Sequence, residues 1–193
     1  MKDVILWELK QRRKTILWWT IGSVVLTGVI LALFPSIRDK ATEMNQVINQ
    51  LPAELRGLKT GGASQVDVGN PAQFLNSQLF YATLPILWII LAITRGASII
   101  GREEQSHALE LLLFRPLARG KLLAAKAVAL MLEYAIVTGV TAIFIVFACP
   151  LFDLSIKTAS VVLAAVYTSL FSLSYGYIAF ALQATSALTK RAA

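Results

Sequence analysis

Long stretches of this chain contain no charged residue at all. Residues 15–34 have none, and residues 158–189 have none. Over the whole chain of 193 residues only 15% are charged, while 56% are hydrophobic. A soluble domain carries roughly 25% charged residues, so a water-soluble globular protein is excluded. The single cysteine, Cys149, rules out an intrachain disulfide; as a small apolar residue it suits a position near a helix end. The single histidine, His107, has no neighbours at metal-ligand spacing, so no metal site is expected. Nor does a small-residue cleavage site follow the first apolar block, so that block is expected to stay as a membrane anchor rather than leave as a signal peptide. Internal repeats and low-complexity segments are absent as well.

What is present is four apolar blocks, each long enough to cross ~30 Å of hydrocarbon as a helix. They lie at 15–35, 79–101, 122–150 and 158–189. Backbone polar groups in lipid must be satisfied within the segment, so runs of this length are helices. The fourth exceeds what one straight span needs, which predicts tilt or an interfacial end. The expected fold is therefore all-α: a polytopic membrane helical bundle of four transmembrane helices forming one domain.

The net charge of +7 would suggest nucleic acid in a soluble protein, but here the charges sit in the gaps between apolar blocks and mark topology instead. Lys2, Lys10, Arg12, Arg13 and Lys14 precede the first block. Arg95, Arg102, Arg115, Arg119, Lys121 and Lys126 surround the gap between the second and third, and Lys190 and Arg191 end the chain. The opposite side has only Arg38, Lys40, Arg56, Lys59 and Lys157. The positive-inside bias puts both termini and the 102–121 loop in the cytoplasm. Trp7, Trp18 and Trp19 flank the start of the first span, where aromatic residues suit the interface. Residues 1–14 are expected to form an interfacial helix on membrane lipid, because Val4, Ile5, Leu6, Trp7 and Leu9 would be poorly solvated in a free tail.

The segment 36–78 is the one sizeable extracytoplasmic stretch. Ala41, Met44, Val47, Ile48 and Leu51 recur at helical spacing, Pro52 should break that helix, and 53–58 can form a further turn or two. Gly61, Gly62, Gly69 and Asn70-Pro71 mark a flexible loop. The helix is either a cap over a substrate path or a surface helix resting on the membrane.

The cytoplasmic loop has a more specific pattern. A polar helix is expected at 103–114, with acidic residues at its start to suit the positive end of the helix dipole. Leu109, Leu112 and Leu113 share one side. Arg115 precedes Pro116, which ends the helix, and Arg119, Gly120 and Lys121 form a turn into the third span. Such a helix, held between two spans, can be gripped by another protein.

The order Glu103-Glu104, Ala108-Leu109-Glu110-Leu111-Leu112-Leu113, Arg115-Pro116-Leu117-Ala118-Arg119 and Lys126 resembles type-2 ATP-binding cassette exporter permeases. The sequence of elements matches as well, from basic amphipathic N-terminus to loop. The resemblance implies a transmembrane subunit of an exporter in the cell (plasma) membrane. It further implies a second permease subunit, as homo- or heterodimer, and a cytoplasmic ATP-binding cassette ATPase. The loop would be the coupling helix, with Glu103, Glu104, Glu110, Arg115, Pro116 and Arg119 forming or holding the ATPase contact. Hydrolysis would occur in that partner: this chain has no glycine-rich phosphate loop followed by Lys-Ser or Lys-Thr, so no bound nucleotide or other cofactor is expected. Such permeases usually have six spans. A four-span chain ending in Thr189-Lys190-Arg191-Ala192-Ala193 is expected to be a fragment lacking the last two, or else a complete non-transport membrane scaffold or assembly factor.

Glu133 is the one acidic residue in the interior of a span and should face the bundle interior. It is either the partner of Arg95, near the inside end of the second span, or a proton or substrate site. A membrane-embedded enzyme would need paired catalytic residues within the spans, and Glu133 stands alone there. The adjacent Glu103 and Glu104 do not face each other on a helix, so they make no acid–base pair. Gly22, Ser23 and Gly28 in the first span, and Ser172, Ser174 and Gly176 in the fourth, would permit close helix packing.

Overall fold

The computed structural model describes residues 2–50, 67, 69–105 and 119–189. Helix α1 spans Lys2–Gln11, α2 Arg13–Asp39 and α3 Ala41–Asn49. A short α4, Pro71–Phe74, continues through a π-helical stretch, Leu75–Thr83, into α5, Leu84–Gln105. Helices α6, Arg119–Leu151, and α7, Thr158–Thr189, complete the chain. No strand occurs among the described residues. The all-α class follows, and among the described residues four helical stretches are long and apolar enough to cross a membrane: Arg13–Asp39, Pro71–Ser98, Leu123–Leu151 and Thr158–Thr185.

Two boundaries depart from the sequence expectation for identifiable reasons. The second spanning helix starts at Pro71, well before residue 79. Asn70 has extended backbone and its side-chain oxygen accepts from the Ala72 amide at 2.9 Å, with proline in the first helical turn. That is a helix-start signal, not a loop marker: the proline's missing N–H is one the helix would leave unpaired anyway. Secondly, Arg119 and Gly120 are helical, within α6, instead of forming a turn. Gly120 has no positive φ and open space around it, so nothing there stops the helix. Within α2, Pro35 does not end the helix, which continues to Asp39.

The chain divides into two compact units. One comprises 1–20, 87–138 and 169–193, the other 21–86 and 139–168. In the first, Trp88 and Tyr134 meet edge to face with centroids 6.5 Å apart. Leu130 is fully buried against Leu123, Tyr177, Phe180 and Ala184. Gly96 and Gly176 bring α5 and α7 into backbone contact: a Cβ built on Gly96 would run into the Gly176 carbonyl, and one on Gly176 would lie 3.0 Å from Ala92. Small residues at a crossing are how membrane helices approach closely enough for dispersion to hold them.

In the second unit the rings of Phe34 and Phe74 pack with centroids 5.0 Å apart, and Leu31, Leu79 and Ile145 are fully buried. Gly28 leaves room for the ring of Phe144, 3.4 Å from where its Cβ would be. Asp67 ties α3 to the start of α4: its carboxylate accepts from Asn45 Nδ2 and from the Gly69 amide, each at 3.0 Å. Between α6 and α7 the Leu154 amide donates to the Cys149 carbonyl at 2.9 Å and the Asp153 amide to that of Pro150 at 3.4 Å. This pair of bonds is a Schellman cap, and it places Asp153 at φ 59°, the left-handed conformation such a cap requires.

Candidate functional site

The first unit buries five charged side chains together. Glu8 and Arg12 come from the N-terminal helix and the turn after it. Arg95 comes from α5, and Lys126 and Glu133 from α6; each is no more than 6% exposed. Local geometry aligns them. Glu8 and Arg12 are four residues apart on a nearly continuous helical ladder, with the Arg12 amide on the Glu8 carbonyl at 3.1 Å. Lys126 and Glu133 are two turns apart on one face of α6.

The contacts run in alternating sign. Lys126 Nζ donates to Glu8 Oε1 at 3.3 Å, and Arg12 Nε donates to Glu8 Oε2 at 3.0 Å. Arg12 Nε then lies 3.9 Å from Glu133 Oε1. Arg95 completes the row, donating from Nε and Nη2 to Glu133 Oε2 at 2.8 and 2.5 Å. The result is a ladder of three cations and two anions across α1, α5 and α6. Between Arg12 and Glu133 the ladder is loosest: Arg12 Nη1 and Glu133 Oε1 have no hydrogen-bond partner among the described residues.

Burying charges costs several kcal/mol per ion unless each meets an opposite charge. Here every carboxylate meets two cations, so the ladder specifies which faces of α1, α5 and α6 come together. The void beside it, lined by Thr15, Leu91, Arg95, Glu133 and Tyr134 among others, has a volume of about 10 Å³. That is room for about one water at most.

The structure thus brings Arg95 and Glu133 together. Glu103 and Glu104 are helical within α5, and Arg119 within α6. Glu110, Arg115, Pro116 and His107 lie outside the described residues. Sequence reasoning missed Glu8 as a site residue and treated Arg12 and Lys126 as topology markers. The signal was present: Glu8 stands four residues before Arg12, and Lys126 seven before Glu133, each pair on one helical face. Among the described residues no cluster of three or more His, Cys, Asp or Glu could hold a metal.

Four apolar spans carrying a buried ionic junction define a multi-pass membrane protein. The ABC-2 family transporter proteins match residues 3–193, nearly the whole chain, and the chain belongs to that family. It is a transmembrane component of the ABC permease type. No curated protein and no solved structure matches it.

Proposed function

We propose that this chain is the permease subunit of an ATP-binding cassette exporter, driven by ATP hydrolysis in a separate cytoplasmic ATPase. The observation that carries this reading is the family match over residues 3–193, on a chain with four spans and no phosphate-binding loop of its own. Family members normally work with such an ATPase. The protein sits in the plasma membrane with both termini of this chain in the cytoplasm, as its basic residues favour, and pairs with a second permease subunit. The first span supports that pairing: only 17% of its apolar window is buried, and Ile21, Val25 and Val29 are exposed along it.

In this reading residues 102–121 are the coupling loop, with Glu103, Glu104, Glu110, Arg115, Pro116 and Arg119 making or holding the ATPase contact. The ladder gives that loop mechanical purchase. The loop joins α5 to α6, and Arg95, Lys126 and Glu133 tie those two helices to each other and to α1. A push on the loop therefore moves three helices, and alternating access follows from their rearrangement.

The test is co-purification from native membranes in mild detergent. The tagged chain should bring an ATPase subunit with it, and Glu104→Ala/Glu110→Ala should lose that subunit while still eluting as a single symmetric, non-aggregated peak. A wild-type preparation without any ATPase would count for a scaffold or assembly factor instead.

A further inference from the structure

The N-terminal helix presents two adjacent stripes. Glu8 and Arg12 point into the ladder and are buried. Trp7, Lys10, Gln11 and Lys14 follow one another at i, i+3, i+4 and i+7 and, with Arg13, line an open hollow of about 590 Å³. Lys10, Gln11, Arg13 and Lys14 are exposed. Among the described residues its lining thus has three cations, an amide and an aromatic ring, and no acidic side chain. None of the three cations forms a salt bridge among the described residues, and Glu8, on the same helix, is committed to Arg12 and Lys126.

Position adds a second constraint. Arg13 is the first residue of a membrane span, so the hollow lies where the polar chain meets the apolar one. One turn further, four residues on from Arg13 and Lys14, stand Leu17 and Trp18, which are 58% and 73% exposed. Cation above, apolar surface directly below, is the profile of a phosphate headgroup over its acyl chains. A free phosphate would use only the upper part.

We infer that this hollow binds the phosphate headgroup of an anionic phospholipid through Lys10, Arg13 and Lys14, with Trp7 beside it and the acyl chains along Leu17 and Trp18. The inference needs the first span to cross a bilayer and does not depend on the docking of an ATPase. The ladder fixes the site, because its hold on Glu8 and Arg12 turns the basic stripe outward.

The test uses the full chain in detergent with a phosphatidylcholine background, titrated with phosphatidylglycerol and followed by native mass spectrometry. The wild type should retain phosphatidylglycerol in preference to phosphatidylcholine. The triple variant Lys10→Gln/Arg13→Gln/Lys14→Gln should bind it on the order of a hundredfold more weakly, since each cation near an anionic surface contributes about fivefold. The charge-conserving triple Lys10→Arg/Arg13→Lys/Lys14→Arg should keep the binding, which separates charge from folding. Leu17→Gln/Trp18→Gln should weaken phosphatidylglycerol, and soluble glycerol phosphate should not compete at equal concentration. Equal retention of the two lipids by the wild type would overturn the proposal, as would undiminished binding by the neutral triple. Full competition by glycerol phosphate would overturn the lipid assignment in favour of a free phosphate.

Discussion

Arg95 places two of its donors, Nε and Nη2, on one and the same oxygen of Glu133, leaving the other oxygen turned toward Arg12. Glu133 therefore mediates between α5 and the N-terminal helix although it belongs to α6. It is also deep: ten residues beyond Leu123, where the third span begins, or about 15 Å along the helix axis.

The first prediction concerns that pair. Removing one member of a buried ion pair strands the other and costs about 3–5 kcal/mol. Arg95→Gln and Glu133→Gln should each sharply reduce folded protein in detergent, measured by gel filtration and thermal unfolding. The double variant should lose clearly less than the two effects added together. Additive losses would mean that the contact contributes nothing of its own.

Glu8 is the anion that Lys126 and Arg12 share. Glu8→Gln should release α1 from α6 while the four spans stay folded. Amide hydrogen exchange in α1 is expected to rise markedly, with exchange at Ala129 and Leu130 unchanged. Protection of α1 equal to the wild type would show that apolar contacts alone hold that helix.

The glycines should divide by their surroundings. Gly96→Ala forces a methyl group into the Gly176 backbone and should be severely destabilising. Gly22→Ala and Gly139→Ala meet nothing within 4 Å, so they should be neutral or gain up to about 1 kcal/mol from helix propensity. Comparing unfolding temperatures of the three variants checks this.

At the α6–α7 turn, Asp153 occupies a conformation that glycine adopts freely. Asp153→Gly should retain or raise stability, and Asp153→Val should lower it. The Arg38 contact at 3.8 Å is exposed on both sides, so Arg38→Gln should change the unfolding free energy by less than about 1 kcal/mol.

The spans were legible because lipid imposes one requirement on every residue of a block, and a missing charge reports it directly. Helix α7 begins at Thr158, where its uncharged run begins. The amphipathic spacing of Ala41, Met44 and Val47 likewise matches a real helix, α3. The start of the second span was not legible from hydropathy, since Ala72, Gln73, Asn76 and Ser77 dilute it, although Asn70-Pro71 marked the cap. The π-helical stretch at Leu75–Thr83 left no pattern at all; its i to i−5 backbone bonding, as from the Leu84 amide to the Leu79 carbonyl, depends on packing. The ladder was half legible. A charge inside a span demands a partner, which pointed from Glu133 to Arg95. Charges outside the spans raise no such demand, so Glu8 and Arg12 passed as surface residues, and Lys126, near the start of the third span, was read for topology and resemblance until the fold brought the three together.

The most direct measurement places a photo-reactive side chain at Glu110 and irradiates the protein in its native membrane. A second copy of the experiment carries the same group at Val140, an exposed apolar position in the third span. The coupling-loop assignment predicts a covalent adduct from position 110 to a cytoplasmic ATPase, absent from position 140. Adducts at 110 only to lipid or to this chain itself, in membranes where the ATPase is present, would contradict it.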